Sequence, residues 1–109
     1  MQGQARMPNY KLTPDAENDL LKIATYTIET WGLEQADRYG ASLEGCFVAI
    51  ADGSARSRAP LPHRPELRVY RCQHHYVFAF INEDAPALIV AVLHEKMDLM
   101  SRLRERLDG

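Results

Sequence analysis

Ala87-Leu88-Ile89-Val90-Ala91-Val92-Leu93 is seven apolar residues in a row, five of them β-branched or leucine. A run this short and continuous fits a strand buried on both faces, the middle of a sheet and not its rim. It is far too short to span a bilayer. The rest of the chain can be placed around it.

Upstream, Leu67 to Cys72 alternates, with Leu67 and Val69 on one face and Arg68 and Tyr70 on the other. Tyr76 to Ile81 alternates in the same way, and Gln73-His74-His75 between them is short enough for a hairpin. Asn82 to Pro86 turns the chain into the central strand. Further upstream the period changes to helical. Thr13-Pro14-Asp15 combines a hydroxyl cap, proline in the first turn and an acid, a strong helix start. Ala16, Leu20, Ile23, Ala24, Ile28 and Trp31 follow as an apolar stripe, and Gly32 ends it. A second helix over about Leu33 to Asp52 carries Ala36, Tyr39, Gly40, Leu43, Phe47 and Ile50 on one face, with Cys46 beside them. Two helices joined by one glycine read as an antiparallel hairpin.

Asn9 to Leu12 alternates like a short strand, and Met97 to Leu107 has helical spacing with Asp98 or Ser101 near its start. The predicted order is β-α-α-β-β-β-α: an α+β fold with a helical hairpin on one face of a mainly antiparallel sheet and a C-terminal helix. Residues 9–109 form one domain, and 1–8 are expected to be a poorly ordered tail. The C-terminal segment from Ser101 is expected to be dispensable for folding.

With 109 residues the chain holds one core, and 46% hydrophobic with 26% charged residues excludes wholesale disorder. The net charge of −2 argues against nucleic-acid binding by bulk charge. That total hides a division. Pro14 to Asp52 carries eight acids and two bases, whereas Ala55 to Cys72 carries Arg56, Arg58, Arg64, Arg68 and Arg71 against Glu66. Arginine forks suit carboxylates and phosphates, so the second segment is either a docking surface for a polar partner or a solvated loop. No leader or membrane span is read, and two cysteines make no disulfide framework, so a reduced cytoplasm is the expected setting. Cys46, on an apolar helix face, is expected to pack in the core.

Cys72, His74 and His75 lack the second ligand cluster that zinc sites show, and neighbouring histidines on a strand point apart. No metal or cofactor is expected. No serine elbow or phosphate loop is present. His94-Glu95-Lys96, three ionisable residues where the central strand runs out, either form a functional cluster or cap the sheet.

Tyr10-Lys11-Leu12-Thr13-Pro14, Ala16-Glu17, Asp19-Leu20, Tyr26-Thr27, Trp31-Gly32 and Gln35-Ala36 resemble the N-terminal half of ParE toxins. Arg71-Cys72, His74 to Phe78 and Val92 to Leu99 resemble the C-terminal half, in the same order. The resemblance implies the RelE/ParE fold and a toxin held inactive by a ParD-like antitoxin. It also implies a target, DNA gyrase, poisoned by binding, with no catalytic residues. RelE relatives instead cleave messenger RNA on the ribosome, often with a tyrosine near the C terminus. None of the five tyrosines here follows the last strand, so ribonuclease activity is the alternative. On this basis Arg58, Arg64, Arg68 and Arg71 are expected to meet acids of the antitoxin. His94, Lys96, Met97, Arg102, Arg104 and Arg106 are expected to meet gyrase.

Overall fold

The computed structural model describes residues 9–108; the expected tail at 1–8 lies outside them. The elements are β1 (Tyr10–Leu12), α1 (Pro14–Trp31), α2 (Leu33–Asp52), β2 (Leu67–Cys72), β3 (His75–Phe80), β4 (Ala87–His94) and α3 (Leu99–Asp108). The strands form one sheet in the order β1-β4-β3-β2. The β2–β3 and β3–β4 pairs are antiparallel, as hairpin connections require. β1 runs parallel to β4, which the expectation of a mainly antiparallel sheet did not include. The long excursion through α1 and α2 frees β1 from hairpin geometry.

β4 is the central strand, flanked by β1 and β3 and buried at six of its eight positions. One sheet face (Tyr70, Cys72, Val77, Ala79, Ile89 and Val92) packs under the helical hairpin with Ala16, Leu43, Phe47 and Ile50. The other face packs Leu67, Val69, Phe78, Val90 and Leu93 against Leu103 of α3, with Leu61 of the loop alongside. Thr13 Oγ1 accepts from Ala16 N at 3.1 Å, capping α1, and Gly32 joins the helices at φ +94°. Asp98 caps α3 by accepting from Ser101 N at 3.3 Å.

Three features differ from expectation. First, β1 has only three residues against eight in β4, so β4 has an unpaired edge beyond Ile89. Side chains take the place of the missing strand. Asp19 Oδ2 accepts from Val92 N at 2.9 Å, and Arg106 Nη1 donates to Val90 O at 2.7 Å. Val90 is the extra residue of a β-bulge, since Phe78 pairs with Ala91 and Ala79 with Ile89. Asp19 and Arg106 are paired to each other at 2.9 and 3.1 Å. Asp19 is therefore a buried acid of α1 and not part of its solvated face.

Second, α3 belongs to the fold. Leu103 is fully buried and Arg106 ties α3 to α1 and β4, so removing Ser101 onward would open the second core. Third, Cys46 and Cys72 form a disulfide between α2 and β2, with Cα atoms 6.3 Å apart. The bridge departs from the reduced setting expected from the sequence, while Cys46, half-buried, does pack against the core.

Candidate functional site

Three surfaces carry chemistry. The first lies on the face of β2 that looks toward α3. Arg56, Ser57, Arg58, Arg71 and Tyr76 line an open groove of about 350 Å³ floored by Val69. Arg71 and Tyr76 are cross-strand partners, and the Arg71 guanidinium stands over the Tyr76 ring at 5.0 Å. Arg71 also donates to Tyr76 Oη at 2.8 Å and to Gln73 O at 2.9 Å, and it pairs with Glu95. Arg58 is exposed, while its backbone pairs with Val69 across the outer edge of β2. Arg64 and Arg68 are not part of this groove. Arg64 stacks on Phe80 at 4.9 Å and approaches Glu66 at 3.4 Å. Arg68 leaves β2 with the parity of Tyr70 and Cys72 and donates to Ser57 Oγ at 2.9 Å. The four arginines thus form one pair and two separate positions.

The second surface is the end of β4 with α3. His94 Nδ1 accepts from Lys96 N at 3.1 Å, which folds the strand end into a turn. Lys96 and Met97 are exposed, as are Arg102 and Arg104 on α3. Arg102 reaches Glu105 at 3.8 Å, a solvent-screened pair. Arg106 differs from its neighbours because its guanidinium is committed to Asp19 and Val90 O.

Behind His94 lies a polar cluster in which each member answers another. His75 is buried against α2 while its neighbour His74 is exposed, as alternation requires. Tyr39 Oη accepts from His74 N at 3.1 Å and is hydrogen-bonded to His75 Nδ1 at 2.6 Å. His74 Nδ1 and Arg71 both bind Glu95, and these bonds hold its carboxyl below the usual range. Burial, then the neighbouring His94 and His74, push His75 down to about 4, so it is neutral at pH 7. Because its pKa is depressed on folding, the unfolded chain takes up the proton first. Stability from this group is complete above about 6.5 and is lost as pH falls toward 4. Between pH 7 and pH 5 urea unfolding is expected to show a loss of about 2 kcal/mol from this group. His75→Gln keeps an acceptor for Tyr39 and should flatten that slope.

The third surface is apolar and belongs to the helical hairpin. Between α1 and α2 lies an apolar groove of about 320 Å³, walled by Leu20, Ile23 and Ala24 on one side and Tyr39, Leu43 and Phe47 on the other. Ala36 and Gly40 keep its wall low, and Glu44 is its acid. Trp31 is 69% exposed, with Leu21, Ile28 and Leu33 also in solvent on the same helix pair. The apolar stripe of α1 thus faces solvent at Ile28 and Trp31. The signal was present: two helices over one small sheet offered more large apolar residues than one interface can cover.

A helical hairpin on one face of a four-stranded sheet, with a third helix on the other, makes a ParE-like fold. Residues 10–99 match the family described as ParE toxin of type II toxin-antitoxin system, parDE. The chain is 47% identical over 103 residues to Toxin ParE of Escherichia coli, covering 94% of this chain and all of that protein. It is 30% identical over 97 residues to Toxin ParE1 of Caulobacter vibrioides, covering 89% and 99% of the two chains. A solved structure titled Chromosomal ParDE TA system from P. aeruginosa superimposes with a TM-score of 0.63 at 16% identity, over 78% of this chain and 92% of that one. The chain belongs to the ParE toxin family and is the toxin component of a type II toxin–antitoxin system. Such a system implies an antitoxin partner. Among the described residues no helix is long and apolar enough to cross a membrane, and no group of three His, Cys, Asp or Glu is placed to hold a metal.

Proposed function

We propose that this toxin acts in the cytoplasm by binding DNA gyrase and blocking replication, with no reaction of its own, and that a ParD-like antitoxin neutralises it. The observation that carries this reading is the match to Toxin ParE over that protein's whole length. The geometry supports binding over catalysis. Two of the acid–base groups near the strand ends are satisfied internally, Glu95 by Arg71 and His74, and His75 by Tyr39. A ribonuclease would need such groups directed at a phosphodiester.

The α1–α2 groove suits one apolar face of an antitoxin helix. Arg58 and Arg71, on the opposite sheet face, with Arg64 and Arg68 along the β2 edge, would meet acids of another segment of the antitoxin. Strand addition at β2 is restricted, because Arg58 already pairs with Val69 there. His94, Lys96, Met97, Arg102 and Arg104 form the surface offered to gyrase. Arg106 is withdrawn from it by Asp19.

The test is charge reversal of Arg102 and Arg104 together, read as inhibition of gyrase supercoiling. Both are exposed, so the melting temperature should stay unchanged. Inhibition is expected to weaken at least about 10-fold while antitoxin affinity holds within about 2-fold. Unchanged inhibition would place the gyrase surface elsewhere.

A further inference from the structure

Two side chains of α2 fasten it to the tip of the β2–β3 hairpin. Tyr39 and Cys46 are seven residues apart, about two helical turns, and so leave α2 on the same face. Cys72 and His75 are cross-strand partners and so project together toward that face. Tyr39 is hydrogen-bonded to His75, and Cys46 is bonded covalently to Cys72. Only the second fastener responds to redox chemistry. Its two residues are unequal: Cys72 is 1% exposed, whereas Cys46 is partly exposed. Leu43 and Phe47, either side of Cys46 on α2, form a wall of the apolar groove.

We infer that Cys46 is a thiol-exchange site for low-molecular-weight thiols of the glutathione class, and that its state sets how firmly α2 holds the groove wall in place. The thiolate attacks Cys46 Sγ, the sulfur of the more exposed residue. A mixed disulfide forms there as the Cys46–Cys72 bond breaks, and the electron pair leaves on Cys72 Sγ, which takes a proton from solvent. Ser42 O, 3.8 Å from that sulfur, stands ready to accept the new thiol hydrogen. A second thiolate attacks the small molecule's sulfur, releasing the oxidised small-molecule disulfide and a Cys46 thiolate that is then protonated. Two small thiols are oxidised and one protein disulfide is reduced. The reverse sequence, driven by the oxidised small molecule, closes the clasp. With the clasp open, α2 keeps Tyr39–His75 and its apolar contacts but loses its covalent tie near Leu43 and Phe47. The consequence for antitoxin affinity rests on the proposed docking of the antitoxin in this groove; the exchange chemistry does not.

The test uses the full chain, free of antitoxin, in buffers of defined glutathione to glutathione-disulfide ratio. After alkylation, mass spectrometry is expected to find reversible conversion and a transient glutathione adduct on Cys46, not on Cys72. Hydrogen exchange across residues 42–50 is expected to speed up at least about 10-fold in the reduced state, while β4 is little changed. The double variant C46S/C72S should match the reduced protein in both buffers. A bond that no glutathione ratio opens, or equal protection of α2 in both states, overturns the inference. Calorimetry with the purified antitoxin is the second arm, with binding expected to weaken about 10-fold on reduction. Loss of α2 protection with unchanged antitoxin affinity overturns the link to the groove. Failure of the antitoxin to bind either state overturns the docking proposal instead, and the exchange result stands.

Discussion

Asp19→Ala is expected to destabilise this toxin by about 3 kcal/mol, lowering its melting temperature by roughly 15 °C. The cause is local and can be followed atom by atom. Asp19 is 8% exposed and serves two groups at once, the Val92 N–H and the Arg106 guanidinium. Removing its carboxylate leaves a buried backbone donor without an acceptor and a half-buried cation without a counterion. Arg106 keeps some contact with water and a bond to Val90 O, which holds the expected loss at the lower end of the range for broken buried pairs. Asp19→Asn retains an acceptor for Val92 and should cost about half as much. Arg106→Lys should also be costly, because one ammonium cannot hold both carboxylate oxygens of Asp19 as the fork does. Urea unfolding of the three variants checks the ranking. An Asp19→Ala protein as stable as the wild type would mean that the unpaired edge of β4 is held by other groups.

The second large effect is expected from breaking the disulfide. Cys46 and Cys72 are 26 residues apart, and opening a loop of that size releases unfolded-chain entropy worth about 3.5 kcal/mol. A phosphine reductant should therefore lower the melting temperature by roughly 15 °C without any substitution. The reduced toxin should remain folded, because both apolar cores survive. Differential scanning calorimetry with and without reductant checks this. A shift of less than a few degrees would mean that the bridge constrains the unfolded chain little.

The elements were legible because each carried a local signature. Thr13-Pro14 announced α1, alternation marked β2 and β3, and the unbroken apolar run marked β4 as central. What stayed hidden depends on partners far apart in sequence. Nothing near Asp19 distinguishes it from the solvated acids of α1, since its partners lie 73 and 87 positions away. Arg106 was read with Arg102 and Arg104 because all three share one short helix. Only packing separates the one that turns inward. The same limit hid the disulfide, which needs α2 folded across the sheet before its cysteines meet. The parallel β1 escaped for want of a hairpin to fix its direction. Of the candidate binding residues, Arg58 and Arg71 do share a groove, whereas Arg64 and Arg68 are spread along the edge. The place of the apolar groove was not legible, because exposed and buried positions of an amphipathic helix look alike until the neighbouring helix is placed.

The central claim is that the toxin acts by binding gyrase. It is tested most directly by adding the antitoxin-free protein to purified gyrase, relaxed plasmid and ATP. Supercoiling should stop, broken DNA covalently linked to gyrase should accumulate, and antitoxin should prevent both effects. Normal supercoiling in the presence of a folded toxin that still arrests growth in cells would contradict the claim and turn attention to messenger RNA on the ribosome.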